Sequence, residues 1–130
     1  MSKLRCACGN VIRDQTVDLP YKALFFADAD YEAFEKFVDF CGDLIRAREA
    51  GRQIEFVKQH FGEGYPSDLD ITDIISDDLA GLRAVFGHTM YECETCGRLW
   101  INNIIGNNDY YPYVPEGEAR GILRSDRHKK

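Results

Sequence analysis

No apolar run in the 130-residue chain is long enough to cross a bilayer. The longest, such as Ala23-Leu24-Phe25-Phe26-Ala27, fall far short of the roughly 20 residues a membrane helix needs. The start, Met1-Ser2-Lys3-Leu4-Arg5-Cys6, has no stretch resembling a secretory leader, so a soluble, cytoplasmic protein is expected. Also missing are a glycine-rich phosphate loop, a dinucleotide fingerprint, a His-Glu-x-x-His pair and a Gly-x-Ser-x-Gly elbow. The three histidines, His60, His88 and His128, are scattered. Catalysis has no visible home, and the chain reads as non-enzymatic. Positive charge is scarce too: 16 Lys and Arg against 22 Asp and Glu leave −6, which speaks against a broad nucleic-acid-binding face. No solenoid-length repeat and no low-complexity linker appear, and 130 residues suit a single domain.

What is present can build a core. Hydrophobic residues make up 45% of the chain, with 8 Phe and 7 Tyr, which excludes wholesale disorder. Charge is distributed unevenly. Between Gln53 and Leu82 lie seven acids (Glu55, Glu63, Asp68, Asp70, Asp73, Asp77 and Asp78) and one base, Lys58, so this window carries the whole net charge. The tail runs the other way, with Arg120, Arg124, Arg127, Lys129 and Lys130 against Asp126. Such an acidic surface favours a basic partner or is a solvated face.

The pattern predicts two short strands over 3–13 flanking Cys6-Ala7-Cys8-Gly9, and a further apolar run before residue 28 that suits a strand. Asp28 or Asp30 is placed to cap a helix, with no need of a metal to explain the two carboxylates. Apolar residues then recur at Phe34, Phe37, Val38, Cys41, Leu44 and Ile45, which is helical spacing, with Cys41 as plain core. Gly51 is an expected interruption before Ile54, Val57 and Phe61. A second helical stripe, Ile71, Ile74, Ile75, Leu79 and Leu82, follows the breaker-rich loop Gly62–Ser67. Strands are expected at 85–92 and 98–105, on either side of Cys93-Glu94-Thr95-Cys96-Gly97, and one more at 110–114. The fold class is thus α+β: a small antiparallel sheet of two cysteine hairpins (1–15 and 85–115), a helical insertion (28–83) packed on it, and a flexible basic tail (125–130).

Four of the five cysteines form two close pairs, Cys6/Cys8 and Cys93/Cys96, each between predicted strands and each followed by glycine. Zinc takes four soft ligands at tetrahedral angles, and a tight turn presents two thiolates to one side of the metal. Two facing turns complete the shell. Glycine after the second cysteine permits positive φ, which turns backbone N–H groups toward the sulfurs. Disulfides need an oxidising compartment. A redox Cys-x-x-Cys would open a helix, whereas this pair sits between strands. One structural Zn²⁺ held by Cys6, Cys8, Cys93 and Cys96 is therefore expected, with His88 as a reserve ligand because Cys-x-Cys is shorter than the usual knuckle.

The motifs Arg5-Cys6-Ala7-Cys8-Gly9 and Tyr91-Glu92-Cys93-Glu94-Thr95-Cys96-Gly97-Arg98 resemble those of zinc-ribbon proteins built from zinc knuckles. The 84 residues between Cys8 and Cys93 exceed ordinary ribbon spacing and imply an inserted segment. In size, acidity and lack of catalytic motifs the chain is also similar to small bacterial immunity proteins that neutralise toxins. That resemblance implies a toxin inhibitor: Glu63, Asp68, Asp70, Asp73, Asp77 and Asp78 would face a basic nuclease-type domain, with Tyr111 or Tyr113 as anchors. Tyrosines suit interfaces because one end is apolar and the other hydrogen-bonds, although a strand covering the cysteine hairpin needs the same residues. Trp100, directly after the second knuckle, is expected to pack the hairpin against the helices. The alternative reading is a ribbon module that contacts nucleic acid or the transcription and translation machinery through Arg5, Arg13, Arg98, Arg124, Arg127, Lys129 and Lys130.

Overall fold

The computed structural model describes residues 2–66, 68–118 and 120–124. The predicted flexible tail, with Arg127, Lys129 and Lys130, lies outside them. The fold is α+β, and the described residues form three α-helices and two antiparallel sheets of two and four strands. Two compact units emerge: a sheet unit formed by the chain up to Phe26 and from Gly87 onward, and a helical unit, Ala27–Phe86. Among the described residues no helix is long and apolar enough to cross a membrane.

In the sheet unit, β1 (Lys3–Arg5) and β2 (Val11–Arg13) pair as a hairpin across the first cysteine turn, Arg5 opposite Val11. The larger sheet runs β3 (Lys22–Phe25), β4 (His88–Glu92), β5 (Leu99–Asn102), β6 (Tyr110–Tyr113), with every neighbour antiparallel. The two cysteine hairpins therefore do not share one sheet. Both edges of the β4–β5 hairpin are already taken, by β3 and by β6, and none is left for β1–β2. Side chains join them instead. Cys6 and Ile12 from the first hairpin and Tyr91 and Cys93 from the second form one buried cluster, flanked by Leu4, Tyr21, Cys96, Trp100 and Tyr110. Tyr91 stands opposite Trp100 in the register, and the two-residue pleat puts Tyr110 on that same face.

Polar contacts fix this unit further. The Asp14 carboxylate takes Lys22 Nζ at 2.6 Å and the Tyr91 hydroxyl, while Tyr21 donates to the Arg13 carbonyl at 2.5 Å. Burial alone would raise the Asp14 pKa, but Lys22 and Tyr91 outweigh it and hold the carboxyl below its ordinary value. Burial, with Asp14 beside it, pushes the Tyr91 phenol up. The carboxylate of Glu92 is enclosed and accepts the backbone N–H groups of Gly121 (2.8 Å), Ile122 (3.3 Å) and Leu123 (3.4 Å).

In the helical unit a 3₁₀ turn at Asp28–Asp30 leads into α1 (Tyr31–Glu49). Asp30 occupies the N-cap position, yet its side chain makes no capping hydrogen bond. Gly51, at φ +72°, ends α1 in a Schellman turn: its N–H reaches Arg48 O at 3.1 Å, and Arg52 N–H reaches Ala47 O at 2.8 Å. α2 (Gln53–Phe61) and α3 (Ile71–Phe86) follow. Asp70 begins α3, accepting Ile71 N–H and the Thr72 hydroxyl, both at 2.9 Å. The core is Phe40, Leu44, Val57 and Ile74, with Cys41, Phe56, Phe61 and Ile75 packed around it. Cys41, expected as plain core, is half-buried and packs against this cluster. Val38 and Ile45 belong to the same predicted stripe but are 66% and 45% exposed, and Phe40 is the residue that turns inward.

Candidate metal centre

The two cysteine turns are built alike. In the first, Cys6 N–H bonds to Asn10 O at 2.8 Å and Gly9 N–H to Cys6 O at 2.9 Å. In the second, Cys93 N–H bonds to Arg98 O and Gly97 N–H to Cys93 O, both at 2.8 Å. Gly9 and Gly97 adopt φ +100° and +81°, a region that a Cβ makes costly by about 1–2 kcal/mol. Each turn thus presents two sulfurs on one side. Cys6 Sγ lies 3.5 Å from Cys96 Sγ, and Cys8 Sγ 3.6 Å from Cys93 Sγ, so each close pair bridges both hairpins. All four sulfurs lie within 4.8 Å of one another, and the cysteines are free thiols. Four sulfurs around a tetrahedral ion at about 2.3 Å sit about 3.8 Å apart, close to these separations. The cluster can hold a metal ion.

Its electrostatics favour a cation. Burial opposes the Cys96 thiolate, but the backbone N–H and guanidinium of Arg98, whose Nη1 is 3.2 Å from the sulfur, bring it down to about 6. Burial likewise opposes Cys93, yet the N–H of Cys96, the Asn10 amide at 3.5 Å and the N–H of Thr95 hold it below the ordinary thiol range. At Cys8 the balance reverses: the Asn10 N–H favours the thiolate, but lost hydration and the neighbouring thiols push the group up to about 11. Four crowded sulfurs cannot all ionise without a counter-charge. A divalent cation supplies one. With all four thiolates as ligands, such a centre would leave no open position for water or substrate.

The other residues singled out from the sequence separate clearly in space. His88, the reserve ligand, stacks on Phe25 with ring centroids 4.9 Å apart and is not in the sulfur cluster. Trp100 packs against the buried cluster of the sheet unit, and its Nε1 is enclosed with no hydrogen-bond partner among the described residues. Tyr110 faces that cluster, whereas Tyr111 and Tyr113 alternate to the other face of β6 and are 51% and 57% exposed. All six acids of the predicted partner surface lie in the helical unit, but four have local duties. Asp70 caps α3, Glu63 pairs with Lys58 at 3.7 Å, Asp77 accepts the Tyr65 hydroxyl, and Asp78 meets His60 Nε2 at 2.8 Å. Burial and Asp77 push the Tyr65 phenol up to about 12. Among the described residues, neither a hydrogen bond nor an ion pair engages the Asp68 and Asp73 carboxylates.

A family model described as Domain of unknown function (DUF8617) matches residues 2–117. The chain belongs to this family. The DUF8617 match takes in both cysteine turns, the whole helical unit and β6, and stops before the segment bonded to Glu92. No curated protein and no solved structure matches the chain.

Two features carry no signal in the sequence. The His60–Asp78 pair joins α2 to α3 across 18 positions, and no local motif announces it. Glu92 sits in a strand beside a cysteine, and only its partners about thirty residues later reveal why a carboxylate is buried there.

Proposed function

We propose that this DUF8617 protein is a cytoplasmic, non-enzymatic zinc protein that binds another protein. Its helical unit acts in the manner of an immunity protein or antitoxin, covering a basic, nuclease-type toxin domain. Zinc is the ion because an all-cysteine, four-ligand set in a closed shell suits a d¹⁰ cation with no redox demand. The observation that carries the binding role is the uncompensated carboxylate surface of the helical unit, where Asp68 and Asp73 have no cation among the described residues. The bases a nucleic-acid reading needs are partly engaged. Arg98 is held by Cys96, and Arg124 pairs with Glu94 at 3.2 Å. Exposed Tyr111 and Tyr113 on the edge strand β6 supply a second contact of the kind that anchors interfaces.

The test is to recover the protein from its native host through an N-terminal tag and identify what co-purifies stoichiometrically. A basic toxin domain is the expected partner. Joint reversal of Asp68 and Asp73 to lysine spares the α3 cap and the Tyr65 contact. It is expected to slow association about tenfold at low salt, and less as salt screens the charges. An unchanged rate removes this surface from the reading.

A further inference from the structure

The buried cluster of the helical unit lies where the C-terminal half of α1 meets the N-terminal half of α3, at Leu44 and Ile74. At the other end of the same helix pair the side chains leave a groove of about 670 Å³. Its floor is apolar: Phe37 and Phe40 from α1, Phe61 from α2, and Leu82, Val85 and Phe86 from α3. Val85 is 61% exposed, which no requirement of the core explains. The rim carries Asp30, Glu32, Asp77 and Asp78 against Lys36, paired with Glu32 at 3.6 Å, and His60, which meets Asp78 at 2.8 Å, so the acids still outnumber the bases. Asp77 and Asp78 are held in place by Tyr65 and His60, so this side of the rim is ordered.

We infer that the groove receives a basic amphipathic helix of the partner, its bulky apolar side chains on the phenylalanine floor and its lysines or arginines against the acidic rim. The inference deepens the proposed function and rests on its premise that the partner is a basic protein. Charge complementarity selects this occupant. An apolar acid would place its carboxylate among four others, and a neutral apolar molecule would leave the rim unmatched. A helix with apolar residues at i, i+3, i+4 and i+7 satisfies floor and rim together. The volume lies within the range of about 300–1,000 Å³ that proteins use to enclose ligand groups.

The probe is a fluorescein-labelled peptide of about 18 residues, leucine and lysine in that helical pattern, titrated against the full-length, zinc-loaded protein by anisotropy. Binding is expected for this peptide, and binding weaker by about tenfold or more for the version with glutamate in place of lysine. Val85→Arg, at an exposed position, keeps the wild-type melt and lowers affinity for the leucine–lysine peptide about tenfold. Equal binding of the glutamate peptide, or unchanged binding by Val85→Arg, overturns the inference. If the native partner is lost on reversal of Asp68 and Asp73 but bound normally by Val85→Arg, the groove is not its dock and the proposed function stands. If the peptide occupies the groove as expected while no basic protein co-purifies from the native host, the groove stands and the proposed function falls.

Discussion

In the sheet unit, two of the four buried apolar residues are cysteines, Cys6 and Cys93; in the helical unit all four, Phe40, Leu44, Val57 and Ile74, are hydrocarbon. Both units are small, and small cores rarely bury enough surface to hold a chain alone. The helical unit meets this with aromatic density: Phe40 stacks on His60 at 4.2 Å, and Phe61 stacks on Tyr65 at the same distance. The sheet unit has strands of three to five residues and places a cluster of four sulfurs, able to hold a metal ion, where more hydrocarbon would otherwise be needed. With a metal held there, stability in the sheet unit would depend on solution chemistry, whereas in the helical unit it rests on packing.

The largest effect expected from breaking this contrast is loss of the metal. Cys93→Ser, or treatment with a strong chelator, removes a contribution on the order of 10 kcal/mol, comparable to the whole stability of a small domain. Trp100, the one tryptophan in the chain, reports on the sheet unit. Its emission should shift red while the helical circular dichroism persists, and a wild-type spectrum would refute the structural-metal role. Next in size, Leu44→Ala opens a cavity in the helical core and costs about 2–5 kcal/mol. The helical melt should fall while zinc stays at one ion per chain by elemental analysis.

The smallest effect is electrostatic and sharpens the account of the sheet unit. Asp14 titrates below its ordinary value in the folded state, so the unfolded chain binds its proton first as pH falls. Its contribution is therefore full above about pH 4 and disappears as pH drops through the folded pKa. Because Lys22 is partly exposed, the expected size is only about 1 kcal/mol. Denaturation followed by Trp100 emission should show this loss in the wild type and a flatter pH profile in Asp14→Asn.

Much of this was legible in the sequence where the signal is local. Two Cys-Gly turns between short strands, the break at Gly51 and the helical stripe around Ile74 each follow from spacing within a few residues. The α+β class followed from them. The distribution of strands over two sheets was not legible, because it depends on β3 and β6 capturing both edges of the second hairpin. Nor was the inward face of α1. Phe34, Phe37, Val38, Phe40, Cys41, Leu44 and Ile45 supply more apolar residues than one stripe needs, and only packing against Val57 and Ile74 selects Phe40 and Leu44. Among the acids, charge was visible but duty was not. The engagement of Asp77 and Asp78 needs α2 and α3 folded together, and no local spacing announces it.

The pairing of Phe25 with His88 has a kinetic consequence. β3 cannot find β4 until everything from Ala27 to Phe86 has been drawn into a closed loop, and the sulfurs face the same long search. Closure entropy grows with the logarithm of loop length, and contacts of high sequence separation slow folding. The intervening segment, however, contains three helices with contacts close in sequence, which can form early. Once they have, the loop is no longer a flexible coil but a short-circuited one. On these grounds the helices are expected to form first, and the β3–β4 pairing and the closure of the sulfur cluster later.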